Sequence, residues 1–107
     1  MILPIATLNS DPSWFGFAVT VKSNSPVSRN ELVKKLNNRN IGTRLLFGGN
    51  LLKQPAFVDT PRRSVGSLEN TDKVMQNTFW LGVWPGLTET MIEFVAESIR
   101  TELGASD

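Results

Sequence analysis

Between Trp14 and Lys22 the side chains alternate with a period of two, a pattern that an extended strand satisfies and a helix does not. Phe15, Phe17, Val19 and Val21 fall on one face; Trp14, Gly16, Ala18 and Thr20 fall on the other. A strand with one apolar face needs neighbours for its backbone groups and a layer to cover that face. The chain offers two further strand-like runs, Thr43 to Phe47 and Phe79 to Trp84, the second stopped by Pro85-Gly86. Gly16 and Ala18 are small, so another group can approach the second face closely.

The covering layer is helical. Ser28 fits an N-cap, Glu31 completes a capping box, and Val27 and Leu32 stand at the staple positions. Leu32, Val33 and Leu36 form the apolar stripe, with Arg29, Lys34, Lys35 and Arg39 expected in water. This helix is expected to end near residues 38–40, with Gly42 just beyond it. A short helix is expected from Thr71 to about Thr78, capped by Asn70 or Thr71 and favoured by Asp72 near its start. Thr88 caps a final helix, with Leu87 and Ile92 at staple positions. Ile92, Val95, Ala96, Ile99 and Leu103 repeat along it at helical spacing, and Gly104 suits the C′ position. The order β-α-β-(loop, α)-β-α predicts an α+β fold: one small three-stranded sheet with helices packed on one face. Three tryptophans and six phenylalanines exceed what one such core layer needs. Either the aromatics fill both sheet faces or some of them meet another domain.

Composition narrows the chemistry. At 107 residues the chain is one domain at most. It has no cysteine, which excludes disulfides, thiolate catalysis and cysteine-held metal within it. It has no histidine, the commonest metal ligand and neutral-pH acid or base. A net charge of +1 gives no footprint for nucleic acid, and Arg62-Arg63 reads as a solvated loop. Met1-Ile2-Leu3-Pro4-Ile5 is short and lacks a basic leader, so neither a signal peptide nor a membrane span is expected; the expected location is cytoplasmic. Glu31, Glu89, Glu93, Glu97 and Glu102 lie on expected helix faces. Asp59, Glu69 and Asp72 surround the long loop without a spacing that aligns them.

The most informative loop runs from Gly42 to Phe57. A short apolar run, Leu45 to Phe47, follows Arg44, breaks at Gly48-Gly49-Asn50 and passes through Leu51-Leu52 to Gln54-Pro55. The glycine pair and asparagine permit a sharp turn. Arg44 offers a planar, permanently charged fork for phosphate or carboxylate oxygens. On these residues alone, an ordinary strand exit with a solvated arginine stands beside that reading.

Longer runs carry a resemblance. They are Ser13-Trp14-Phe15-Gly16-Phe17, then Arg29-x-Glu31-Leu32-Val33, then Ile41-Gly42-Thr43-Arg44-Leu45-Leu46-Phe47-x-Gly49-Asn50-Leu51-x-x-Gln54-Pro55-x-Phe57, then Asn70-Thr71-Asp72-x-Val74-Met75, and Thr78-Phe79-Trp80-x-Gly82-Val83-x-Pro85-Gly86-Leu87-Thr88. Over about residues 13–103 the chain resembles the C-terminal segment of the CDP-4-keto-6-deoxyglucose 3-dehydrases of lipopolysaccharide and O-antigen biosynthesis. These belong to the DegT/DnrJ/StrS family of pyridoxal-phosphate sugar aminotransferases.

The resemblance implies a division into a lead-in segment, 1–12, the C-terminal small domain of an aminotransferase-like enzyme, 13–104, and a tail, 105–107. It implies a parent enzyme that removes the C3 hydroxyl of a 4-keto-6-deoxy sugar nucleotide with pyridoxamine or pyridoxal phosphate as electron sink. In the resembled enzymes the cofactor cup and catalytic base lie in a large domain, with a 2Fe–2S iron–sulfur cluster held by upstream cysteines. The piece alone is therefore expected to bind no cofactor and to be inactive, with the large domain, the nucleotide-sugar and a second subunit of a homodimer as the parent's partners. Phe15 matches a residue near the cofactor, with a strand-core role as the other reading. Arg44, Phe47 and Asn50 match a substrate-facing loop. Lys73 stands where relatives carry arginine, keeping the charge without the bidentate fork. Trp80 and Trp84 are expected against the helices or the large domain. A sugar-nucleotide aminotransferase, a 3-deoxygenase lacking the cluster, and a stand-alone α+β binding module using the aromatic sheet face are the alternatives.

Overall fold

The computed structural model describes residues 1–104, and the expected tail, 105–107, lies outside them. The elements are β1 (Gly16–Thr20), α1 (Arg29–Asn38), β2 (Thr43–Leu45), a 3-10 turn (Leu51–Lys53), α2 (Glu69–Asn77), β3 (Thr78–Gly82) and α3 (Glu89–Glu102). The sheet order is β1-β3-β2 with both pairings antiparallel. The first expected strand is trimmed at both ends; the other two lose their C-terminal ends, and β3 starts one residue early, at Thr78. The β1–β3 ladder stops at the Gly16–Gly82 pair, so Val83 and Trp84 have no opposite residue. Phe47 takes a left-handed φ of 47°, which ends β2 before it.

Directly opposed residues share a sheet face, and the register makes one face the core. Val19 opposes Phe79, and Phe17 opposes Leu81. Leu32 and Leu36 of α1 and Ile99 of α3 cover this face, with Val21 and Ile41 completing the cluster. Phe79, Leu32 and Leu36 are wholly buried. The α+β expectation, with helices against one sheet face, holds.

The local chemistry that starts α1 and α3 is as the sequence implies. Ser28 and Glu31 form the capping box, with Ser28 N donating to Glu31 Oε2 at 2.9 Å. Thr88 Oγ1 accepts from Met91 N, and Gly104 is left-handed after the last turn of α3. Two expectations are corrected. Asn40, at φ 61°, makes the left-handed exit from α1 in place of Gly42. Helix α2 starts at Glu69 behind Leu68, with no side-chain cap from Asn70 or Thr71, and stops before Thr78, which joins β3. Leu87 and Ile92, at the staple positions of α3, are both partly exposed.

Arg29 is the largest correction. It is buried, with Nη1 donating to Thr78 O at 3.3 Å and Nη2 to Met75 O at 3.2 Å. Helix ends leave carbonyls without intrahelical partners, and Arg29 satisfies one of those at the end of α2. Burial lowers the pKa of its guanidinium. Lys35 and Arg39 also do more than meet water: each reaches Glu102 at 2.9 Å and ties α1 to α3.

Candidate functional site

The sheet face opposite the core carries the small residues noted in β1, and one ring occupies the space they leave. Trp80 opposes Ala18 in register and lies diagonally over Gly16. A Cβ built on Gly16 would stand 2.0 Å from Trp80 Cε3, closer than any side chain tolerates. Of the two places expected for Trp80, the helices or the large domain, the helices are ruled out: its ring lies on the sheet face away from α1 and α3. Trp84 is 64% exposed and lies over Gly86.

Two further rings stand edge-on to Trp80. The centroid of Phe15 is 5.5 Å away at an interplanar angle of 86°, and that of Phe47 is 5.6 Å away at 79°. Both geometries suit the aromatic quadrupole. Alternation puts Phe15 with Phe17 and Val19, but it sits in a bend before β1 and escapes the strand's period. Its ring reaches the opposite face and is 85% exposed. Phe47, at its left-handed position, is 83% exposed.

Arg44 opposes Trp80 across the β2–β3 pairing, which puts it on this same face. Its Nη1 donates to Thr43 O at 3.0 Å, and that is the one hydrogen bond its side chain makes among the described residues. A shallow concavity of about 500 Å³ opens here, with Phe15, Gly16, Arg44, Phe47 and Trp80 in its lining. A second, of about 540 Å³, lies on the other side of Phe47 and reaches Asn70, Thr71 and Val74 of α2.

Of the sequence-derived candidates, Phe15, Arg44 and Phe47 therefore meet around Trp80. Asn50 and Lys73 line neither concavity. Asn50 is 4% exposed; its Oδ1 accepts from Leu52 N at 3.0 Å and its Nδ2 donates to Asp72 Oδ1 at 2.7 Å. Lys73 is exposed on α2. Asp72 also accepts from Lys53 Nζ at 2.8 Å. The bonds from Lys53 and then Asn50 hold its carboxyl below the usual aspartate range. The part played by Trp80 was readable in principle, since a large aromatic facing glycine and alanine across a sheet has one place to lie. No local signal announced Asp72, whose partners lie 22 and 19 residues back in the chain.

The concavity offers an aromatic wall and one guanidinium with spare donors. Such a surface suits a planar or apolar body that carries an anionic group. A pyridoxal phosphate site needs a phosphate cup, a partner for the ring nitrogen and a base. These residues fit one wall of that site and supply none of those groups. Among the described residues no cluster of three or more His, Cys, Asp or Glu could hold a metal ion. No helix among them is long and apolar enough to cross a membrane.

Known proteins resemble this chain over nearly all its length. The family model described as the DegT/DnrJ/EryC1/StrS aminotransferase family matches residues 1–100. A dTDP-4-dehydro-2,6-dideoxy-D-glucose 3-dehydratase of Saccharopolyspora spinosa is 52% identical over 99 residues, covering 92% of this chain and 21% of that protein. The lipopolysaccharide biosynthesis protein RfbH of Salmonella typhimurium is 52% identical over 102 residues, covering 95% of this chain and 23% of its own length. Among solved structures, an Escherichia coli GDP-4-keto-6-deoxy-D-mannose-3-dehydratase with bound hydrated PLP superposes with a TM-score of 0.77 at 26% identity, over 91% of this chain and 25% of that one. The chain thus spans about a fifth to a quarter of the length of these relatives.

Proposed function

The chain belongs to the DegT/DnrJ/EryC1/StrS aminotransferase family, and from that premise we propose that residues 13–104 are the C-terminal small domain of a sugar-nucleotide 3-dehydrase. The parent protein removes the C3 hydroxyl from a 4-keto-6-deoxy sugar nucleotide in the cytoplasm, in the biosynthesis of lipopolysaccharide. Pyridoxamine or pyridoxal phosphate, held by the remainder of the parent, supplies the electron sink. A 2Fe–2S cluster and a homodimeric assembly belong to the same reading.

The observation that carries it is the meeting of Phe15, Arg44 and Phe47 around Trp80 on a sheet face that no helix core occupies. In this reading Arg44 donates to anionic oxygens of the substrate, and the three rings form the wall against which the bound groups lie. Asn50 keeps the loop folded beneath Phe47, and Lys73 adds positive charge at the surface. The catalytic base and the cofactor cup come from the missing large domain, so the chain alone is inactive. The exposed apolar side chains of α3, Met91, Ile92 and Phe94, suit a piece that packs against more protein. So does a radius of gyration of 16.0 Å, against about 13 Å for a compact chain of roughly this length.

The test is a graft. This chain replaces the matching segment of the Saccharopolyspora spinosa relative, and the 3-dehydration given in that protein's name is assayed. The graft is expected to turn over. Arg44→Ala in the graft is expected to raise KM by about 10- to 100-fold, the worth of one charge-assisted hydrogen bond. A graft that turns over with a KM indifferent to Arg44→Ala would overturn the assignment.

A further inference from the structure

The loop that carries Phe47 is fastened to α2 at several points. Gly49 turns with φ 62° directly against Met75; a Cβ there would stand 2.5 Å from Met75 Cγ. Asn50 N lies 3.4 Å from Met75 Sδ. Asn50 caps the 3-10 turn through Leu52 N, and the same amide donates to Asp72 Oδ1. Lys53, at the far end of that turn, reaches the other oxygen, Asp72 Oδ2. One carboxylate thus grips the loop at both ends of the turn, while Arg29 anchors the end of α2 through Met75 O.

The geometry points to Asp72 as a positioning residue: it holds the Phe47 loop so that Phe47 stands against Trp80 and walls the concavity. Asp72 itself lines neither concavity. It acts through Asn50 and Lys53, and the consequence appears at the rings. The backbone at Phe47 lies in a left-handed well that a phenylalanine does not choose freely, so the loop needs an external hold to keep it there. A carboxylate with both oxygens engaged supplies one. This role deepens the functional reading above and rests on it for its relevance to substrate.

The experiment reads the rings directly and needs no substrate. In the isotope-labelled chain, the Trp80 indole N–H resonance is assigned by its loss in Trp80→Phe. Its position and the Phe47–Trp80 ring cross-peaks are followed in Phe47→Ala, Asp72→Ala, Asp72→Asn and Lys53→Met. Asp72→Ala is expected to weaken the cross-peaks severalfold and move the Trp80 resonance most of the way to its place in Phe47→Ala. Asp72→Asn, which keeps an acceptor for Asn50, is expected to move it less, and Lys53→Met likewise. Val19 and Leu32 methyl resonances report that the core is intact. Unchanged Trp80 signals in the alanine variant with an intact core overturn the proposal. Should that variant fail to fold, the Asn and Met variants decide: intermediate shifts support the role, and wild-type spectra refute it. A null result here leaves the Arg44 graft untouched, and a failed graft leaves the ring signals untouched, so the two readings fail separately.

Discussion

Replacing Gly16 by alanine isolates the contact on which the candidate site is built. The added Cβ would stand 2.0 Å from Trp80 Cε3 and 2.7 Å from Cζ3. Ordinary contact begins at 3.4 Å, so the indole must retreat by about 1.4 Å. Gly16 lies in extended strand backbone, so alanine brings no conformational strain and the effect is steric. Retreat breaks both edge-on pairs, with Phe15 and with Phe47. At about 0.5–1.5 kcal/mol each, the pairs sum to about 1–3 kcal/mol, which is also the usual cost of overpacking. Phe15 and Phe47 are mostly exposed, which favours the lower half of that range. For a domain of this size the midpoint of thermal unfolding should fall by about 5–15 °C. Calorimetry measures that fall, and near-ultraviolet circular dichroism reports the loss of tryptophan asymmetry. Gly82→Ala is the control. It is the register partner of Gly16, yet a Cβ there meets nothing within 4 Å; its stability should stay within about 0.5 kcal/mol of wild type. If Gly16→Ala melts with wild type and keeps its aromatic bands, Trp80 is not seated as described.

Two further outcomes follow from the charged groups. Hydrogen bonding from Lys35, reinforced by the charges of Lys35 and Arg39, holds the Glu102 carboxyl below its usual range. A depressed carboxylate contributes stability above its unfolded pKa, about 4.3, and loses it as pH falls through the lower folded value. Melts between about pH 5 and pH 3 should therefore decline less steeply in Glu102→Gln, and superimposable acid limbs would refute the α1–α3 tie. Arg29→Ala leaves the carbonyls of Thr78 and Met75 without their buried donor; urea unfolding should show a loss of about 2–3 kcal/mol, with Arg29→Lys recovering part of it. A loss below about 0.5 kcal/mol would mean that the buried guanidinium contributes no more than a surface side chain.

What could be read from the residues was mostly what is local. The Ser28–Glu31 box, the Thr88 cap and the left-handed Gly104 depend on neighbours within a few positions, and each forms as its sequence implies. The smallness of Gly16 and Ala18 foretold a close approach without naming the ring. Arg29 escaped because its acceptors lie 46 and 49 residues away, and a charged residue in the first turn of a helix is ordinarily solvated. Phe15 escaped because alternation holds only where the ladder runs, and the ladder begins at Gly16. In the site, Arg44 is legible as a guanidinium beside the Gly48-Gly49-Asn50 turn, and Phe47 through the resemblance of that loop. Their meeting with Phe15 needed the sheet order, which no periodicity encodes.

That sheet order also governs when the fold can exist. The strand synthesised last, β3, is the middle one, so neither outer strand can complete its ladder before it emerges. Thr20 and Thr78, whose hydroxyls meet at 2.8 Å, are separated by 58 positions. At about 5–20 residues per second on the ribosome, β1 waits several seconds for its neighbour. Helix α1, with its own cap, forms on the microsecond scale and waits beside it. During that interval Thr20 has only its bridge to Ile2, and the rest of β1 is a nascent apolar strand without a mate. Truncation before Thr78, which removes all of β3, should make that interval permanent, giving a chain that aggregates or is degraded.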